Sequence, residues 1–122
     1  MKAPHRLTDS FRDALIGIAT AFREEKNMRI HFAVFFILLG ASWYAGLNRW
    51  EWALVLLAAG LVITSEMLNS AVERVVDLVE PNFHPLAALS KRLAAGGVLI
   101  AALTAVAIGA IVFWPRLYTL WR

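Results

Sequence analysis

The chain of 122 residues contains no cysteine. That excludes a disulfide framework and thiolate chemistry. Charge is scarce as well: Asp, Glu, Lys and Arg make up 17% of the residues, against 60% hydrophobic. A soluble globular domain carries about 25% charged residues, so an ordinary soluble fold is a poor fit. Basic runs with interleaved aromatics are lacking, and the net charge of +3 does not read as a nucleic-acid surface. The N-terminal stretch "MKAPHRLTDSFRDALIGIATAFREEKN" has a short, interrupted apolar run followed by charges. No cleaved leader is expected from it.

What the chain has instead is apolar blocks too long for buried strands. The expected fold class is an all-α membrane protein in a single domain, 1–122. Span one covers 30–47, span two 52–79 and span three 93–114. Trp43, Tyr44, Trp50 and Trp52 flank the polar turn 48–51, as aromatics do at a bilayer interface. Pro81 and Pro85 are expected to break the second helix and open a loop, "EPNFHPLAALSKR". The "AAGG" of 94–97 permits close helix packing, and Pro115 with Arg116 ends the third apolar run.

Ahead of the spans, Leu7, Phe11, Leu15, Ile18 and Phe22 recur at spacings of three and four. This predicts an amphipathic helix over 6–28, lying on the membrane surface with Thr8 or Ser10 as its cap. A soluble helix packed on a partner is the alternative. Lys2, Arg6, Arg12, Arg23, Lys26 and Arg29 precede span one, and Arg74, Lys91 and Arg92 lie near the second loop. Only Arg49, Arg116 and Arg122 fall on the other side. The positive-inside rule therefore places the N-terminus and the second loop in the cytoplasm, with the C-terminus outside the inner (plasma) membrane.

The chemistry concentrates in "SEMLNSAVERVVDLVE", residues 65–80. Glu66, Asn69, Glu73 and Asp77 are spaced three, four and four, so they share one helix face, with Ser70 beside them and Arg74 off it. From Trp52 to Glu66 is roughly 21 Å of helix, inside a hydrocarbon core about 30 Å thick. The acids thus form a ladder descending from the cytoplasmic side and stopping at Glu66. An ionised group at that depth costs about 2.5–3.5 kcal/mol or more, and such residues usually mark function. Glu24 and Glu25 sit just before span one on the same side, and the basic second loop with Lys91 sits there too. Carboxylates with a lysine suit a divalent cation carrying a polyphosphate, and Glu66 suits a general base acting on an alcohol. Two other readings stay open. Polar residues also glue membrane helices together. The ladder could also serve a non-enzymatic cation or proton channel subunit, but residues 53–63 are apolar throughout, which argues against a polar path continuing outward.

"EMLNSAVERVVD", followed by "HPLA…SK" and "AAG", resembles the small prokaryotic diacylglycerol kinase family, which includes the undecaprenol kinases. The likeness runs from "SFRDALIGI" through span three, and "EKNMRIH" and "FHPLA" are closer to the undecaprenol branch. The resemblance implies a homotrimer with active sites shared between chains. It implies ATP and Mg²⁺, and a membrane lipid alcohol as acceptor. Glu66 matches the catalytic base. Glu25 and Glu73 match the carboxylates that hold the metal on ATP. Asn69 matches a polar residue lining the site, and Lys91 the lysine on phosphate. The chain departs from the pattern at Arg92 and Asp9, where the family usually has the opposite charges. A swapped Asp9–Arg92 ion pair, or weakened phosphate handling, would follow. No Walker-type glycine loop and no protein-kinase signature occur, so nucleotide must be held by metal, lysine and a few polar groups. Among the histidines, His31 is expected to bond a neighbouring helix, and His84 to pack within its loop.

Overall fold

The computed structural model of the chain describes residues 6–121. Lys2 and Arg122, counted above among the flanking basic residues, lie outside the described residues. Four helices follow in order: α1 Leu7–Glu24, α2 Lys26–Ala45, α3 Arg49–Val79 and α4 Pro85–Trp121. The last three are long and apolar enough to cross a membrane. At about 1.5 Å per residue, α3 is roughly 46 Å long and α4 roughly 55 Å, so both overshoot a hydrocarbon core of about 30 Å. They pack on each other, and this is the principal contact of the fold.

The expected boundaries shift at each junction. The segment 6–28 is not one helix. Glu25 takes an extended conformation (φ −119°, ψ 117°), ending α1 and starting α2 at Lys26. Arg29 stabilises the break, because its Nη1 donates to the carbonyls of Phe22 (3.0 Å) and Arg23 (2.8 Å), two acceptors that the end of α1 leaves open. Neither Thr8 nor Ser10 caps α1. The cap is Arg6, whose backbone N–H donates to Asp9 Oδ2 at 3.2 Å.

α2 stops at Ala45 rather than at 47 because Gly46 adopts the left-handed conformation (φ 66°) that glycine reaches without Cβ strain. α3 starts three residues earlier than expected. Asn48 accepts the Glu51 N–H at 2.9 Å and Glu51 accepts the Asn48 N–H at 3.0 Å, a reciprocal capping box.

The largest departure is in α4. Pro85 does not break structure there; it opens the helix. Proline fits a first helical turn, where its missing N–H would have no partner anyway. His84 Nδ1 accepts the Leu86 N–H at 3.1 Å, so this histidine is a helix cap. The loop shrinks to residues 80–84, and Lys91 and Arg92 stand on the helix. Pro115 lies inside α4 rather than at its end. The helix continues past it with Arg116 anchored to the α2–α3 turn: Nη1 donates to the Ala45 carbonyl at 3.0 Å and Nη2 to Glu51. The small core of Leu47, Val55 and Val112 lies close to this anchor. None of the glycines, including Gly96 and Gly97, has a neighbouring helix within reach of an added Cβ, so "AAGG" does not serve close packing within one chain.

Candidate active site

Met28 is fully buried and Ala21 nearly so, both close to the α1–α2 junction. That junction delivers Glu25 to Ser70. The Ser70 hydroxyl donates a hydrogen bond to Glu25 Oε2 across 45 residues of sequence. Arg74, one turn further along α3, donates to Glu24 Oε2 at 2.9 Å and to Glu25 Oε1 at 3.4 Å. Both oxygens of Glu25 are therefore held by α3. Glu66, Ser70 and Arg74 are spaced by four, so they form a stripe along one side of the helix. Arg74, placed off the acidic face by its phase, is turned toward the α1–α2 junction and ties it to α3. A cavity of about 250 Å³ opens beside this cluster, lined by Gly17, Thr20, Glu25, Ser70 and Arg74 among others.

Glu66 is buried, with 7% of its surface exposed. Its Oε2 faces His31 Nε2 of α2 at 3.7 Å. His31 thus meets a neighbouring helix, and the partner is the deepest carboxylate of the ladder. It also lines an apolar cavity of about 220 Å³ among α2, α3 and α4.

The remaining acids diverge from Glu66. Asn69 is half-buried, and its Oδ1 is buried without a hydrogen-bond partner among the described residues. Glu73 is exposed. Asp77 is exposed too, and its Oδ1 accepts from Lys91 Nζ at 2.6 Å, linking the ends of α3 and α4. The Lys91–Asp77 pair borders a third cavity of about 200 Å³ that includes His84. Asp9 and Arg92 do not meet within the chain: Asp9 is committed to the start of α1 and Arg92 is exposed.

The geometry thus gathers Glu25, Ser70 and Arg74 in one cluster, Glu66 and His31 in a second, and Asp77 and Lys91 in a third, all along one side of α3. A family model described as prokaryotic diacylglycerol kinase matches residues 12–113, which contain every residue of these clusters. The chain belongs to the prokaryotic diacylglycerol kinase family. It is 35% identical over 113 residues to an undecaprenol kinase of Bacillus subtilis, covering 93% of this chain and 92% of that one. It is 40% identical over 119 residues to a diacylglycerol kinase of Synechocystis, covering 97% of this chain and 67% of that one. A diacylglycerol kinase of Helicobacter pylori is 31% identical over 104 residues, covering 84% and 73%.

For a prokaryotic diacylglycerol kinase family member, the donor set can be tested against a metal. Among the described residues, no group of three His, Asp or Glu side chains comes together to hold an ion. The described residues of one chain therefore form no dedicated cage. Mg²⁺ that travels with a triphosphate asks for less: one or two carboxylates, with phosphate oxygens and water completing the octahedron. The hydrogen-bonded Glu25 and the exposed Glu73 are of the right chemistry for that smaller demand.

Proposed function

We propose that this membrane lipid kinase transfers the γ-phosphoryl group of ATP to the primary hydroxyl of undecaprenol in preference to diacylglycerol. The observation that carries the reading is Glu66, a carboxylate buried within an apolar span and set beside an apolar cavity. A buried carboxylate with hydrocarbon around it suits an alcohol acceptor that arrives through lipid. The preference for undecaprenol rests on "EKNMRIH" and "FHPLA", which are closer to that branch of the family.

In the reaction, Glu66 takes the proton from the lipid hydroxyl as its oxygen forms a bond to the γ-phosphorus. The bond from that phosphorus to the bridging oxygen breaks, and ADP leaves with the electron pair. Mg²⁺, which Glu25 and Glu73 would hold on the nucleotide, supplies charge neutralisation on the phosphates. Ser70 and Arg74 fix the direction of Glu25. Lys91, at the cytoplasmic end, places its ammonium against the phosphates, and Asn69 lines the site between the two levels. The rest is positioning and electrostatics, as phosphoryl transfer generally requires.

The placement follows from the same ladder. The N-terminus and the loop 80–84 face the cytoplasm, where ATP is dissolved, and the C-terminus faces outward. The apolar stripe of α1 (Leu7, Phe11, Leu15, Ile18, Phe22) is exposed and lies on the bilayer surface. Three chains assemble, so that Glu73 of one and Glu25 of its neighbour complete a shared site. A channel reading fares worse, because the cavity beyond His31 is walled by Val, Leu, Ile, Phe, Ala and Gly and offers an ion no polar path.

The test is a radiolabelled-ATP assay of the purified protein with undecaprenol and diacylglycerol in competition. Label should appear on both, with undecaprenol ahead. Label favouring diacylglycerol reverses the substrate assignment, and label on neither removes the kinase reading.

A further inference from the structure

His31 has no part in the mechanism above, yet its imidazole is the group opposite the base. Its Nε2 lies 3.7 Å from Glu66 Oε2. That is beyond the usual range of an N–H···O hydrogen bond, about 2.7–3.2 Å. The two side chains face each other without bonding directly, and 28% of the histidine side chain is still open. A hydroxyl oxygen at ordinary hydrogen-bond distance from both groups fits this separation. It would donate its proton to Glu66 and accept from the Nε2–H of His31.

The same histidine is the polar end of the cavity of about 220 Å³. Past His31 the walls are hydrocarbon: Val34, Phe35 and Leu38 from α2, and Val62 and Ile63 from α3. Pockets that enclose a whole small ligand measure about 300–1,000 Å³, so this one holds only the end of a long molecule. Polar and apolar parts are continuous through one residue. That arrangement suits an alcohol with its hydroxyl between His31 and Glu66 and hydrocarbon on its adjoining carbons.

We propose that His31 binds and orients the acceptor hydroxyl, and that the adjoining cavity selects polyprenols by receiving their first hydrocarbon units. The inference rests on the lipid-kinase reading and deepens it. In a diacylglycerol the carbon next to the hydroxyl-bearing one carries an ester. Its oxygens would enter walls that give them no donor, and burial of an unpaired polar group is unfavourable. A polyprenol has only apolar atoms at those positions.

Steady-state kinetics of the full-length protein in lipid nanodiscs, with undecaprenol and diacylglycerol as probes, test this. His31→Phe removes the donor and keeps an aromatic ring. It should raise the KM for undecaprenol about tenfold, the scale of one lost hydrogen bond, with the KM for ATP unchanged. His31→Gln, which retains a donor nitrogen, should stay within about threefold of wild type. Ala59→Leu, which fills the cavity from its α3 wall, should raise the undecaprenol KM and narrow the preference over diacylglycerol. If His31→Phe fails to fold, Ala59→Leu decides. An unchanged undecaprenol KM in both variants overturns the inference, as does a His31→Phe defect confined to ATP. A wild-type protein inert toward both alcohols overturns the kinase reading and this inference with it, so the two failures are distinguishable.

Discussion

The Ser70 hydroxyl donates to Glu25 Oε2, joining the middle of α3 to the break between α1 and α2. Arg74 holds the other carboxylate oxygen at 3.4 Å. A group that binds metal through one carboxylate gains from partners that fix its direction, and losing such a partner typically costs about 10–100-fold in metal affinity or activity. Ser70→Ala should therefore raise the Mg²⁺ concentration for half-maximal activity about tenfold, at saturating lipid. Arg74→Ala should do the same, and combining the two should add little, because both act on one carboxylate. A Mg²⁺ titration of the purified variants checks this. Half-saturation equal to wild type in both single variants would remove the positioning role.

Glu66→Gln keeps the size and polarity of the side chain while removing its capacity to accept a proton. General-base catalysis contributes about 10²–10⁴-fold, so turnover should fall by that factor. The variant should elute at the wild-type position and retain its helical circular dichroism, since an uncharged amide in an apolar span is no harder to bury than the acid. Near-normal lipid phosphorylation in Glu66→Gln rules out the base assignment.

Lys91 and Asp77 form an exposed pair, and exposed pairs contribute little to stability, about 0–1 kcal/mol. In the proposed mechanism their value lies in where the ammonium is held. Lys91→Met should lower kcat/KM for ATP by about 10²–10³, the cost of removing one charge-stabilising donor. Asp77→Asn leaves the ammonium in place and should change it by less than about fivefold. Steady-state kinetics in ATP separate the two. An Asp77→Asn loss as deep as that of Lys91→Met would move Asp77 into the nucleotide site itself.

Much of this arrangement is legible in the residues, and the misreadings have physical causes. The three spans are plain because a run of apolar residues has few other uses. The acidic face is plain because spacings of three and four leave no choice of side. Helix ends are less plain, because a proline is read as a breaker until its position in the helix is known. Pro85 starts a helix and Pro115 sits within one, and only the partners of His84 and Arg116 distinguish these cases from a stop. The Asn48–Glu51 box and Gly46 were readable signals of a cap and a terminus. The break at Glu25 has no local signal. It depends on Arg29 reaching back to the carbonyls of Phe22 and Arg23 and on Ser70 reaching across from α3. The meeting of His31 with Glu66 is likewise a tertiary fact, invisible to spacing because 35 positions separate the two residues.

On the opposite side of the molecule Glu51 caps α3 and pairs with Arg116, which also reaches the Ala45 carbonyl at 3.0 Å. The hydrogen bond from the Asn48 backbone, and after it the one from Arg116, hold the Glu51 carboxyl below its usual range. A carboxylate depressed in the folded state contributes stability above its unfolded pKa, and that contribution is lost as pH falls through the folded value. Arg116→Ala should therefore lower the thermal midpoint in detergent by several degrees at neutral pH. The gap from wild type should narrow as the pH drops below the ordinary carboxylate range, since protonated Glu51 no longer rewards the guanidinium. Glu51→Gln should lower the midpoint at neutral pH and reduce its acid sensitivity. Lipid phosphorylation, which the proposed site places at the far end of α3, should be unaffected by either change in the folded protein. Thermal melts of the three proteins over a pH series check the sign, and an Arg116→Ala gap that stays constant with pH would separate the anchor from the ionisation of Glu51.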